Sequence, residues 1–196
     1  MELKSHWEKM KKIPICVFAF LLCLHPLLAV QIEGVNISQS AKINGETLQL
    51  NGAGLRSFSL AFIPIKIYVA SLYTPQPLRS AHAIMDSQGP MQFDFTFLRA
   101  VGQSDVTKAW SSQFSQSIGY TYSGYAKDRD AFIAMFGSLQ KMGVEQVRLI
   151  GTNTVVYDQG TRKGTIEGRN FQRSFLSLWF GSNPVSSDLK NALLGK

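Results

Sequence analysis

Residues 52–73, G-A-G-L-R-S-F-S-L-A-F-I-P-I-K-I-Y-V-A-S-L-Y, constrain this chain more than any other stretch. They read as two β-strands joined near Phe62, and they hold an arginine, Arg56, in apolar company. In a hairpin centred on residue 62, positions 56 and 68 each lie six residues from the centre, so Arg56 and Tyr68 become cross-strand neighbours on one face. A guanidinium beside a phenol, walled by Phe and Ile, suits a carboxylate or a phenolate on an otherwise apolar molecule. The same residues also fit an arginine that pairs with a nearby carboxylate and holds the sheet. In the second strand, residues 65–73, Ile65, Ile67, Val69 and Tyr73 share one face, and Lys66, Tyr68, Ala70 and Leu72 the other. Both faces are largely apolar, which predicts a central strand covered on both sides.

With 196 residues, 45% hydrophobic and 17% charged, the chain can bury one sizeable core. The net charge of +7 is scattered; beyond the first dozen residues only Arg162 and Lys163 adjoin. Such a dispersed excess is a solvated surface and argues against a nucleic-acid partner. The N-terminus has the three parts of a secretory signal: Lys11 and Lys12, an apolar run over 13–24, and Ala29 as the small residue before a cleavage at Val30. The expected organisation is a signal peptide over 1–29 and a single domain over 30–196. Met10 is a natural start, which would make 1–9 an upstream extension. Twelve apolar residues are too few to cross a bilayer comfortably, so no stable membrane insertion is expected after cleavage, an uncleaved anchor being the other reading. The expected destination is the bacterial periplasm or the medium. Both cysteines, Cys16 and Cys23, lie in the signal, so the core alone must stabilise the mature chain.

Along the chain, alternation predicts a strand over 31–38, a turn at Asn44-Gly45, and a return strand over 47–50 that runs into the Arg56 strand. A short helix over 78–85 precedes a strand over 92–98 whose Phe93, Phe95 and Phe97 share a core face. Helices follow over 104–118 and 128–142, separated by Tyr120, Tyr122 and Tyr125, which read as a loop packing its own rings or an aromatic rim over a pocket. Strands at 146–151, 154–157 and 164–167 and helices at 169–180 and 185–194 complete the order. The fold class is α+β, one antiparallel sheet with helices layered on one face.

Catalytic apparatus is scarce. Beyond residue 29 the only histidine is His82 and there is no cysteine, so common nucleophile sites have little to rest on. No His/Cys/Asp cluster has metal-ligand spacing, and no cofactor is expected. The carboxylates look sparse and unpaired; Asp94, on the other face of its strand, is expected to meet solvent or an arginine such as Arg99.

Four segments, G-A-G-L-R (52–56), I-K-I-Y-V-A-S-L-Y (65–73), F-L-S-L-W-F-G-S-N-P-V (175–185) and L-K-N-A-L-L-G (189–195), resemble the bacterial chalcone isomerase-like proteins from about residue 32 to 195. The resemblance implies an open-faced β-sandwich of the chalcone isomerase type, with a ligand cleft between a large antiparallel sheet and the helices. It also implies that Arg56 faces the cleft and that Tyr68 helps hold a carboxylate, as in the family's fatty-acid binders. The positions that carry the isomerases' other catalytic side chains fall near Val106, Gln113, Leu178 and Tyr68, so only the arginine is kept. The resulting expectation is an exported, non-catalytic protein that binds a fatty acid or similar amphipathic carboxylate. Arg56 and Tyr68 would sit on the acid. The alternatives are a chalcone isomerase-type intramolecular lyase that uses Arg56, and a scaffold with a vestigial cleft.

Overall fold

The computed structural model describes residues 30–117 and 121–196. The expected signal segment, its two cysteines, the Ala29 cleavage point and Tyr120 lie outside the described residues. Seven antiparallel strands follow one another in chain order across a single sheet: β3 (Ser40–Ile43), β4 (Glu46–Leu60), β5 (Ile63–Thr74), β6 (Met91–Phe97), β7 (Val144–Ile150), β8 (Asn153–Asp158) and β9 (Thr161–Ile166). Tight turns join most adjacent strands of this meander, while the connections over 75–90 and 98–143 carry helices, and the turn chemistry is local. Asn44 and Gly45 take φ 50° and 86°, and Gln159 and Gly160 take 48° and 81°. Both pairs are left-handed, as a two-residue turn matched to strand twist requires.

The expected single strand over 31–38 is instead a separate hairpin, β1 (Val30–Ile32) and β2 (Val35–Ile37), turning on Glu33 and Gly34 at φ 52° and 79°. Alternation continues across the turn and conceals it; Gly34 was the signal. Val35 and Ile37 cover Val69 on one face of β5, while Tyr68, Ala70 and Leu72 enter the main core on the other. The strand is covered on both sides, as expected. Residues 65–67 depart from the expected phase. Arg56 pairs with Tyr68 but Ser57 pairs with Lys66, so Ile67 is the extra residue of a β-bulge. Ile67 therefore packs toward the main core, and Lys66 turns to the opposite face, where it bonds Glu33 at 2.7 Å.

Helices α1 (Ala81–Asp86), α2 (Gln103–Gln116), α3 (Tyr125–Ile133), α4 (Arg169–Phe180) and α5 (Ser187–Leu193) lie on one face. The deepest is α4, with Phe171, Phe175, Leu178 and Trp179 fully buried. Its Trp179 stacks on Phe93 and Phe95 at 5.5 and 5.2 Å, which explains the three-phenylalanine face of β6. The helix expected over 128–142 starts earlier and stops at Ile133. Beyond it Gly137 disfavours helix, and Leu139 instead exchanges backbone hydrogen bonds with Val101 at 2.8 and 2.9 Å. Phe136 and Leu139 are buried from this extended segment. The last helix begins at Ser187, later than 185, because the Ser186 hydroxyl accepts from the Leu189 N–H and caps it.

The two glycines of the G-A-G segment have a packing reason. A Cβ on Gly52 would stand 2.1 Å from the Ala192 carbonyl oxygen, and one on Gly54 would stand 2.5 Å from the Ala192 Cβ. Their bare faces let α5 lie directly on β4. Asn51 locks the junction: its amide donates to the carbonyls of Leu193 and Leu78, and its Oδ1 accepts from the Leu78 N–H.

Candidate functional site: a cavity between the sheet and helix α2

Alternation along β4 puts position 56 on the same face as Gly52 and Gly54, the face that carries the helices. There it meets a cavity of about 200 Å³. The sheet side consists of Arg56 from β4, Ile67 and Tyr68 from β5, Phe95 and Phe97 from β6, and Glu145 from β7. Val106, Trp110 and Gln113 of α2 face them, and Val185 closes one side. Two cross-strand rows build the polar part: Arg56, Tyr68 and Phe97 in one, and Ala70, Phe95 and Glu145 in the next. The Arg56–Tyr68 pair expected from the sequence is present, although its turn differs. Leu60 pairs with Ile63, so the turn residues are Ala61 and Phe62, and the bulge at Ile67 restores the 56–68 register.

Arg56 is half-buried, and one guanidinium N–H donates to the Ser57 carbonyl. It forms no ion pair among the described residues. The carboxylate-paired reading of Arg56 therefore finds no partner in the described chain. Tyr68 is 5% exposed and packs against Phe95 and Phe97 at 5.4 and 5.5 Å. Burial pushes its phenol up to about 12, against the opposing pull of the Trp179 indole N–H and the Arg56 charge. The indole approaches the hydroxyl without completing a hydrogen bond. At neutral pH Tyr68 is therefore a neutral donor.

Glu145 was missed in the sequence, where carboxylates read as unpaired. It is 1% exposed, and its Cα partner across β7–β8 is Asp158, at 5%. Burial, and then the nearby Asp158 charge, push the Glu145 carboxyl well above the ordinary carboxylate range. Lys163 sits 3.7 Å from Asp158, while both Glu145 oxygens lack a hydrogen-bond partner among the described residues. A signal existed: in V-E-Q-V-R-L-I, Glu145 shares its face with Val147 and Leu149, both in the core. Asp94, on the opposite face, is half-buried, and the arginine whose charge reaches it is Arg148 rather than Arg99. Its carboxylate accepts from Gln92 and Gln146, and burial raises its pKa against those hydrogen bonds and the Arg148 charge.

Four buried polar atoms without a hydrogen-bond partner among the described residues thus belong to residues lining one cavity: the Tyr68 hydroxyl, Gln113 Oε1 and both Glu145 oxygens. Each such atom costs about 1–3 kcal/mol when left unsatisfied. Val106, Gln113 and Tyr68, where the family resemblance places catalytic side chains, do line the cavity, and Leu178 is buried in the core. Tyr122 does not reach the cavity. Its hydroxyl donates to Asp128 at 2.7 Å, and its ring meets Tyr125 at 5.8 Å. His82 is exposed and pairs with Asp86. Among the described residues no group of three metal-ligating side chains is assembled, and no helix is long and apolar enough to cross a membrane.

A search among curated proteins finds no match. Among solved structures, a fatty-acid binding protein of Arabidopsis thaliana superposes with a TM-score of 0.65 at 16% sequence identity, over 82% of this chain and 92% of that one. At that identity the likeness concerns the fold: a large antiparallel sheet with helices on one face. A family model described as chalcone isomerase-like matches residues 29–195. That span includes every described strand and helix, the Gly52–Gly54 seat for α5 and the Arg56–Tyr68 pair, and the chain belongs to the chalcone isomerase-like family.

Proposed function

We propose that the cavity binds the carboxylate of a fatty acid or similar amphipathic anion, without catalysis, in an exported protein. The observation that carries this reading is the convergence on one apolar chamber of Arg56, the Tyr68 hydroxyl and the Glu145 carboxyl, none of which finds an ion-pair or hydrogen-bond partner side chain among the described residues. Arg56 and Tyr68 donate to an anionic head. Burial shifts the Glu145 carboxyl toward its protonated form, which can donate as well and does not repel the anion. Phe97, Val101, Val106 and Trp110 surround the tail, whose burial contributes roughly 0.8 kcal/mol per methylene. The chamber is smaller than the roughly 300–1,000 Å³ of sites that enclose drug-sized ligands. A long tail therefore runs out past Ala109, Ser112 and Gln116, the exposed cavity residues of α2. The fatty-acid binding protein with the same fold supports the ligand class.

The test denatures purified wild-type and Arg56→Ala protein and identifies released lipid by mass spectrometry, alongside fatty-acid titration of each. Wild type should release or bind acid saturably, and the variant should bind it weakly. If wild type neither carries nor saturably binds one, the reading fails. Measuring the decay of chalcone absorbance in the same preparations checks the isomerase alternative, which requires a rate above buffer that depends on Arg56.

A further inference from the structure

The β4–β5 hairpin runs on past the rest of the sheet. β5 pairs with β6 only from Tyr68 to Tyr73, with one more bond from the Leu98 N–H to the Ile67 carbonyl. Residues 57–66 pair only with each other, so a two-stranded ribbon extends roughly 15 Å beyond the cavity residues Arg56 and Ile67. Its surface is unusual. Phe58 is 42% exposed, Ile63 64% and Phe62 fully exposed. Met142, the other large apolar side chain exposed nearby, stands at the same end, since its N–H bonds the Phe97 carbonyl. Among the described residues, Val30 is the one exposed large hydrophobic residue elsewhere.

Charge at this end is one-sided. Arg56, Lys66, Arg99 and Lys141 lie on or beside the ribbon and the Phe97 edge. The acids there are Glu33, which Lys66 bonds, the buried Glu145 with its partner Asp158, which Lys163 approaches, and Asp105 at the start of α2, which Lys108 approaches. The turn is also costly. Ala61 and Phe62 take φ 48° and 68°, whereas the three other turns with both central residues left-handed end in Gly34, Gly45 and Gly160. A phenylalanine in that backbone region is disfavoured, and at full exposure it gains no packing within the chain to offset this.

We propose that this end of the molecule is a docking surface for a bilayer containing anionic lipids. Phe62 and Ile63 enter the interface, and Lys66, Arg99 and Lys141 meet the head groups. A narrow tip with separate apolar side chains and flanking bases matches a lipid interface, which takes up aromatic rings and attracts cations. A stable protein partner would need about 800 Å² of complementary surface per side, more than a two-stranded tip presents. The docking does not depend on what the cavity holds, although it brings the Arg56 side of the cavity toward the lipid.

The test measures hydrogen exchange of the full chain with and without vesicles, in wild type and in Phe62→Gly/Ile63→Ser. One vesicle set is phosphatidylcholine alone; the other is equal parts phosphatidylcholine and phosphatidylglycerol. Exchange reads the tip directly and is insensitive to any contact made by the N-terminal segment. Wild type should show slowed exchange over 57–67 with the anionic vesicles, weakened by added salt, and the variant should need about tenfold more lipid for the same protection. Fatty-acid titration of the variant should match wild type, which separates failure of docking from failure of the cavity reading. Unchanged exchange at the tip overturns the proposal, as does equal protection by both vesicle types. Tip protection that appears without lipid and grows with protein concentration also overturns it, because a second copy would then be the occupant.

Discussion

The two halves of the β4–β5 hairpin share backbone geometry and differ in what covers them. In the base half, Gly52 and Gly54 carry no side chains and α5 rests on the bare strand, with Asn51 tying down its end. In the far half the same face bears Arg56 and Tyr68, and α2 stands off enough to leave a cavity. One half is closed by removing side chains, and the other is held open by large polar ones. Close packing is a matter of volume at the interface, so a single hairpin can serve as structural seat and as ligand wall.

The largest expected effect breaks the closed half. Gly52→Ala drives a methyl into the Ala192 and Leu193 backbone and should cost about 3 kcal/mol or more, read as a lower denaturation midpoint with an unchanged slope. Arg56→Ala should leave stability within about 1 kcal/mol, since Arg56 has no ion-pair partner among the described residues, but weaken fatty-acid binding about 10- to 150-fold, the range for a lost charge-assisted contact of about 1.5–3 kcal/mol. A variant that destabilised the fold as much as Gly52→Ala would erase the contrast between the halves.

Glu145 sharpens the comparison through pH. Its folded-state pKa is raised, so the folded protein binds more protons than the unfolded chain above the ordinary glutamate value of about 4.5. Stability should therefore fall as pH rises from that value to the raised one, and Glu145→Gln should flatten the curve and gain stability at the upper end. Anion binding should weaken over the same window in wild type and not in Glu145→Gln; parallel pH titrations of melting and of fatty-acid affinity measure both. The smallest effect is at the turn: Phe62→Gly should raise stability by about 0.5–1 kcal/mol by relieving a left-handed phenylalanine, seen as a small increase in Tm.

Much of this was readable from short-range patterns. The Arg56–Tyr68 pairing, the three-phenylalanine face of β6 and the limits of α4 follow from alternation, helical spacing and turn chemistry, which depend on neighbours along the chain. The bulge at Ile67 is different. Counting from residue 62 reached the right partners, yet the turn is at Ala61-Phe62 and the bulge supplies the difference. Glu145 and Asp158 were hidden because each looks like an isolated acid until β7 and β8 pair.

The sequence by itself determined an α+β chain with one antiparallel sheet, a doubly covered strand β5 and an arginine beside a tyrosine on one face. These are consequences of residue periodicity and of backbone preferences within a few residues. Only the tertiary structure decided that α3 ends at Ile133, that Glu145 is buried beside Asp158, and that the cavity lies under α2. Burial, packing gaps and shifted protonation depend on which distant segment lies opposite, and no local pattern carries that information.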